Sequence, residues 1–326
     1  FDPMDGVGEV TIDDFRIVEM KTIQVLFLAF IRQPRNCCLA ALKVPLHGFS
    51  QFKIALGEAV LNDQLNDYDH WIKLYDKLTY SDQQAIIRHC EVFEHKPLIS
   101  VIMPTYNSSL VELQEAIDSI RNQLYENWEL CIADDASSNS GVARLLKNAA
   151  ASDDRIKIII REENGHISAS SNSALTLARG EYVALMDHDD LLSPHALYHV
   201  VLAINEQPSI DILYSDEDKL DAKGRRYDPY FKLDWNYELF LGQNFISHLG
   251  VYRRSLLEKI GGFRLGFEGS QDYDLALRAV AATQPEKIHH IPQVLYHWRN
   301  YENANTFSTN EQGVARNAAR RALQEH

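Results

Sequence analysis

Apolar and polar positions along the chain follow two patterns, and the change falls at Pro97. Before it, strands and helices do not alternate. Ser50 to Leu61 and Tyr68 to Leu78 read as helices. In the second, His70, Trp71, Leu74, Tyr75 and Leu78 recur on one helical face, a stripe predicted to pack against a core or another domain. Thr22 to Ile31, followed by Arg32 and Arg35, reads as a buried helix or strand, with contact to a membrane surface as the alternative. After Pro97, short apolar runs alternate with amphipathic stretches. Leu98 to Met103, Glu129 to Ala133, Ile156 to Ile160, Tyr182 to Met186 and Ile210 to Tyr214 read as buried strands. Ser109 with Glu112 gives a capping-box signature ahead of Leu113, Ile117, Ile120 and Leu124 at helical spacing. Gly141 to Ala151 and Ile167 to Arg179 read as helices, the latter closed by Gly180. Ser193–Pro194 opens another, with proline at the first helical position.

Strand and helix alternating in this way predict an α/β fold with a mainly parallel sheet and helices on both faces. No period of roughly 20–50 residues repeats, which excludes a solenoid. Beyond Tyr214 the pattern loosens. A turn at Ala222–Gly224, a short helix at Trp235–Leu241 and a strand at Phe245–Arg253 are expected. They are followed by helices at Ser255–Ile260 and Asp272–Ala282, an extended stretch at Lys287–Trp298 and a helical pattern from Glu311.

Length and composition narrow the function. With 326 residues, 45% of them hydrophobic, the chain can bury one large core or one large and one smaller. A net charge of −14 without a long Lys/Arg run argues against nucleic acid as a partner. The four cysteines, Cys37, Cys38, Cys90 and Cys131, lack zinc spacing and read as buried small hydrophobes in a reducing compartment. The longest apolar run, Val25 to Ile31, is too short to span a membrane. The chain begins at Phe1 and ends within a helical pattern, as a piece of a longer protein would.

Open α/β sheets bind ligands beyond the carboxyl ends of their strands, so polar residues just after strands are the ones to inspect. Asp187–His188–Asp189–Asp190 follows the fourth strand. Carboxylates this close repel one another unless a cation or strong donors neutralise them, and hard divalent ions take such oxygen ligands. The alternative is an acidic helix start before Ser193–Pro194. Asp134–Asp135, followed by Ala136–Ser137–Ser138, can accept from a base N–H or a ribose hydroxyl, or cap the next helix. Gly266 to Leu275 is a glycine-containing loop leading into a helix, with Asp272 in its first turn as a general base or a cap.

Taken together, these motifs resemble glycosyltransferase family 2, the inverting family with the GT-A fold. Pro104–Thr105–Tyr106–Asn107 looks like its opening, Asp134–Asp135–Ala136–Ser137 like its base-binding turn, and Asn164–Gly165 through Asn172 like its glycine-and-asparagine segment. Asp187–His188–Asp189 is similar to its DXD motif. Gln271–Asp272–Tyr273–Asp274–Leu275 resembles its catalytic-base motif, with Gln where many members have Glu. The likeness spans about residues 97–300. Tyr214 to Lys219, Pro229 to Lys232 and Tyr296 to Arg299 look like the bacterial surface-polysaccharide subgroup, which includes members assigned as rhamnosyltransferases.

The resemblance implies three regions: a mostly helical N-terminal region at 1–95 (a linker or the remnant of a preceding domain), a GT-A domain at 96–300 and a C-terminal helical extension at 301–326. It implies a nucleotide-sugar donor (UDP- or dTDP-linked, dTDP-rhamnose among them) and a glycan or lipid-linked glycan acceptor. Mn²⁺ or Mg²⁺ would sit on Asp189 and Asp187, with His297 as a third ligand and Asp190 orienting its neighbours. Asp134, supported by Asp135, would accept from the base. Pro104, Thr105 and Tyr106 would line the nucleoside pocket, and Arg161 and Arg299 would approach the base or phosphates. Asp187 would also face the donor. Asp272 would be the general base. Glu217, Asp218, Trp235, Asn244 and His248 are acceptor candidates, with core packing as the alternative for Trp235. The expected setting is cytoplasmic, with peripheral contact at the inner face of the plasma membrane and further domains in the same full-length chain.

Two other classes fit part of the pattern. A metal-dependent sugar nucleotidyltransferase would use the same carboxylates, but Met103 to Asn107 lacks a Gly- and Lys-rich phosphate loop. A non-catalytic glycan-binding module would not need Asp187, Asp189 and Asp272 together.

Overall fold

The computed structural model describes residues 68–299 and 309–326. These lie in one compact unit, Tyr68–His326. The expectations for Thr22 to Ile31, Ser50 to Leu61, Cys37 and Cys38 fall outside the described residues.

The first helix, α1, covers 68–75. It is followed by α2 (Tyr80–Val92), β1 (Ile99–Thr105), α3 (Leu110–Arg121), β2 (Trp128–Asp134), α4 (Ser140–Ser152), β3 (Ile156–Ile160), α5 (His166–Leu177) and β4 (Tyr182–Leu185). Next come β5 (Leu191–Leu192), α6 (Ala196–Glu206), β6 (Ile212–Leu220), β7 (Arg226–Tyr230), α7 (Tyr237–Gly242) and β8 (Gly250–Arg253). The last elements are α8 (Arg254–Ile260), α9 (Gln271–Ala282), β9 (Ile288–Arg299) and α10 (Thr309–Glu325). The described strands form one nine-stranded sheet in the order β3-β2-β1-β4-β8-β6-β9-β5, with β7 paired antiparallel to the second half of β6, beyond its pairing with β8. β3, β2, β1 and β4 are mutually parallel; β8 reverses, and β6 and β9 resume the first direction.

Both faces of the sheet are covered, so β1 and β2 are buried along their whole length and read as apolar runs rather than alternating ones. Val101 and Met103 pack with α3, α4 and α6; Ile102 points the other way, towards α5, α8 and α9. The parallel register ends β1 and β2 level, with Thr105 opposite Asp134. The residues just after these strands therefore emerge side by side.

Several local expectations are corrected. Ser109 is the N-cap of α3, but its side chain makes no cap hydrogen bond. Gly180 does not close α5, which ends at Leu177. A Cβ at 180 would lie 2.4 Å from the Leu98 carbonyl oxygen, so close backbone approach is what requires glycine there. The expected strand at Phe245–Arg253 is a loop as far as Leu249. The stripe on α1 packs only in part: Trp71 meets Phe231 with ring centroids 4.9 Å apart, while Leu74 and Tyr75 are 60% and 61% exposed. Tyr68 is the anchor instead: its hydroxyl donates to Asp218 at 2.6 Å, and Asp76 pairs with Arg226 at 2.5 Å. Among the described residues, no helix is long and apolar enough to cross a membrane.

Candidate active site

Two cavities open beyond the carboxyl ends of β1, β2 and β4, of about 440 and 490 Å³. They share Pro104, Ile167, Asp187 and Asp189 and so form one continuous site.

Thr105, Tyr106, Asp135, Asn164, His166 and Glu268 line the larger one. Its walls are turns of unusual backbone. Asn107, Ala136 and His166 all have positive φ (48°, 59° and 64°), which costs a non-glycine residue energy and persists only where surrounding bonds hold it. Here those bonds come from side chains. Asp134 is buried and accepts from the Ser137 hydroxyl at 2.5 Å and from the Ser137 amide at 3.2 Å. Asn107 accepts from the Ser138 amide at 2.9 Å. Asp135 accepts from Arg161 at 2.5 Å and from the Gly165 amide at 3.0 Å.

Asp187, Asp189, Ser247, His248, Gln271 and Asp272 supply the polar wall of the smaller cavity, opposite Ile102, Ile167, Leu185, Met186, Phe263 and Trp298. One ligand atom each from Asp187, Asp190 and His248 lies within 4.8 Å of the others. Both Asp190 oxygens already accept, from the Tyr296 hydroxyl at 2.6 Å and the Arg299 amide at 2.7 Å. The atoms most open to a cation are therefore those of Asp187 and His248, with Asp189 on the same wall. Burial raises the carboxyl pKa of Asp190, and the charges of Asp187 and Asp189 raise it further. Burial also raises Asp189, against the pull of His188. Crowded acids of this kind favour a cation, and oxygen ligands joined by one imidazole suit Mn²⁺ or Mg²⁺. The residues present thus fit a divalent ion. His248 is held face to face against Tyr296, with ring centroids 4.5 Å apart.

Asp272 enters the same cavity from the first turn of α9. Burial raises its carboxyl above the ordinary range, against the pull of His248. Asn244 donates to its Oδ2 at 2.8 Å. The loop before it is braced by α10: Ser270 donates to the Ala315 carbonyl at 2.9 Å, and Ala322 is buried in the core.

The family model for glycosyl transferase family 2 matches residues 100–261. The chain is 32% identical over 211 residues to WcaA of Escherichia coli K12, named for a colanic acid biosynthesis glycosyl transferase. That match covers 62% of this chain and 74% of WcaA. The chain belongs to glycosyltransferase family 2. It is also 37% identical over 263 residues to the O-antigen biosynthesis protein RfbC of Myxococcus xanthus, covering 80% of this chain and 20% of RfbC. The chain thus spans between a fifth and about a quarter of the length of the long curated relatives it matches. The TarS 1–349 structure of S. aureus in complex with UDP-GlcNAc superposes with a TM-score of 0.55 at 22% identity, covering 68% of this chain and 65% of that one, which shows a shared fold.

Set against the family motifs, the structure brings together Pro104, Thr105, Tyr106, Asp135, Asp187, Asp189, His248 and Asp272. It does not bring His297 to this glycosyltransferase site. Nδ1 of His297 is 2.5 Å from Asp218 and Nε2 is 3.0 Å from Ser193, so both ring nitrogens are engaged elsewhere. Register explains this. His297 lies opposite Asp218 on neighbouring strands, whereas Tyr296 and Trp298 point to the other face. Asp134 shapes a turn, and it is Asp135 that lines the cavity. Arg299 braces the loop Asp187–Asp190 through the Asp189 carbonyl at 2.7 Å and pairs with Glu115. Arg161 meets the site through Asp135.

Among the acceptor candidates, Asp218 is buried under Tyr68, Arg226 and His297. Burial alone would raise its carboxyl pKa, but these partners hold it below the usual range. Trp235 packs on Phe240 and Phe245. Glu217 accepts from Lys232 and from the His248 amide. Asn244 reaches Asp272, and His248 lines the cavity beside Asp187. The sequence reading missed His166, Glu268, Phe263 and Trp298 as wall residues. The only signal for them was proximity to recognised motifs.

Proposed function

We propose that the chain moves a sugar from a UDP- or dTDP-sugar to a hydroxyl of a bacterial surface glycan, inverting the anomeric carbon. The observation that carries this reading is a single cavity holding Asp272 together with Asp187 and Asp189. The nucleoside would lie over Thr105 and Tyr106 with Asp135 at its polar edge, and the diphosphate would reach towards Asp187 and Asp189. A Mn²⁺ or Mg²⁺ ion held by Asp187 and His248, with Asp189 beside them, would neutralise the departing diphosphate. Asp272 takes the proton of the attacking hydroxyl. Its burial keeps the carboxylate a stronger base than one in water. The acceptor oxygen bonds to the anomeric carbon as the carbon–phosphate oxygen bond breaks, and that electron pair leaves on the diphosphate. One base and one leaving-group site suffice for this single displacement, unlike the paired carboxyl groups of hydrolases.

The apolar wall suits a 6-deoxyhexose, whose methyl group needs no hydrogen-bond partner; dTDP-rhamnose is the donor of first choice. Residues 96–300 would form the transferase domain, 301–326 its helical brace and 1–95 the link to a preceding domain. The site would work on the cytoplasmic side of the membrane, where it meets a lipid-linked or growing glycan.

The test is donor turnover. The purified chain is incubated with UDP-, GDP- and dTDP-sugars, with Mn²⁺ or with EDTA, and nucleoside diphosphate release is followed. Metal-dependent release from one donor, lost in Asp189→Ala, is expected. Pyrophosphate release from a nucleoside triphosphate would mark a nucleotidyltransferase instead. Neither release nor donor binding would mark a glycan-binding module.

A further inference from the structure

The segment 244–249 touches both halves of the chemistry. At one end Asn244 Nδ2 donates to Asp272 Oδ2 at 2.8 Å. Its other amide atom, Oδ1, accepts from the Ser247 amide at 3.4 Å, so the side chain is held in one orientation. At the other end His248 stands beside Asp187. Between them Phe245 and Ile246 are buried.

Lys232 locks the segment from beneath. Its side chain is fully buried, and Nζ donates to Glu217 at 3.0 Å, to the Ile246 carbonyl at 3.4 Å and to the His248 carbonyl. The His248 amide returns to the same Glu217 oxygen at 3.3 Å, and the Leu249 amide donates to Ser215 at 3.3 Å. A lysine buried this deeply is tolerable only because a carboxylate and two carbonyls receive it. Moving the segment would strand that charge.

Asp272 therefore meets a fixed donor rather than a mobile side chain. A carboxylate with one oxygen held has the other oriented for a single direction of proton transfer. We propose that Asn244 is a positioning residue. It holds Asp272 Oδ2 so that Oδ1 faces the acceptor hydroxyl, and it ties the base to the segment that carries His248. This inference rests on the reading of Asp272 as the base.

The experiment uses the full 326-residue chain, the donor that turns over in the panel, and water as the acceptor. Asn244→Ala and Asn244→Asp are compared with wild type and Asp272→Asn. Asn244→Ala should lower kcat by about tenfold to a hundredfold, the scale of a misplaced reacting group, with KM for the donor and calorimetric UDP–Mn²⁺ affinity unchanged. Asn244→Asp keeps the shape but sets a second carboxylate against the first, so the rise of kcat with pH should move to higher pH. Fold loss in the alanine variant would leave that second measurement standing. Wild-type kcat in Asn244→Ala, or an unmoved pH profile in Asn244→Asp, would overturn the inference while Asp272→Asn still tests the base. No turnover by wild type with any donor would overturn the reading, and this inference with it.

Discussion

The two halves of the sheet build their share of the site differently. In the parallel half, β1, β2 and β4 end beside one another, and the residues that line the cavity are the next ones along each strand: Pro104 to Tyr106, Asp135, then Asp187 and Asp189. In the half formed by β6, β8 and β9, the cavity residues Ser247, His248 and Asp272 come from a loop and a helix start. The loop before β8 is held by the buried pair Lys232 and Glu217, while Asp218 with Arg226 and His297 forms a second buried charge cluster on the other face of β6. A parallel register is a general device and places side chains cheaply. A loop needs specific polar partners, and each partner must be satisfied.

The largest expected effect breaks the site at the base. Asp272→Asn should lower kcat by about 10²- to 10⁴-fold with donor binding retained, measured by turnover and calorimetry. An equal loss of donor binding would place Asp272 in the donor site instead.

Next is the network that holds the mixed half. Asp218→Ala leaves Arg226 without one of its two carboxylates and removes the acceptor of Tyr68. It should cost about 3–5 kcal/mol in a urea titration, the scale for breaking a buried ion pair. UDP affinity of the folded fraction should be unchanged. Had Asp218 been an acceptor-binding residue, the stability change would be small.

A smaller effect sharpens the same contrast through pH. Burial holds the His199 imidazole down at about 4, with His195 as a lesser cause, and burial lowers His195 also. A depressed histidine gives stability that is present above its unfolded value and lost as pH falls through the folded value. The window therefore runs from about 6.5 down to about 4. Unfolding free energy should fall by about 2 kcal/mol between pH 7 and 4.5 through His199, and His199→Phe should flatten that part of the curve. A curve equally steep in both proteins would assign the loss to carboxylates.

How much was legible follows the same division. Strand ends could be read because a buried parallel strand is a continuous apolar run, so the polar residue that stops it is conspicuous; Asp134 and Asp187 are found this way. Which of two adjacent carboxylates faces the cavity could not be read. Asp134 turned inwards to Ser137, and Asp135 outwards. Asp272 was found from the glycine-containing loop before a periodic helix. His248 and Asn244 lie in a stretch without period and were assigned to the acceptor. His297, in a motif rich in aromatics, was assigned to the metal although strand alternation turns it away. That alternation becomes usable only once the face of a neighbour is known, and here the neighbour is Asp218, on a strand distant in sequence. The stripe on α1 was read as packing, and Trp71 does meet Phe231, but Leu74 and Tyr75 are exposed and the polar anchors are Tyr68 and, just past the helix, Asp76.

The central claim is that the mixed half supplies the metal's nitrogen ligand through His248 and not through His297. The most direct measurement is electron paramagnetic resonance of Mn²⁺ bound with UDP to the wild-type chain, His248→Ala and His297→Ala, resolving coupling to imidazole nitrogen. The expected result is nitrogen coupling in wild type and in His297→Ala, and its loss with weaker Mn²⁺ binding in His248→Ala. Coupling that survives in His248→Ala and disappears in His297→Ala would contradict it.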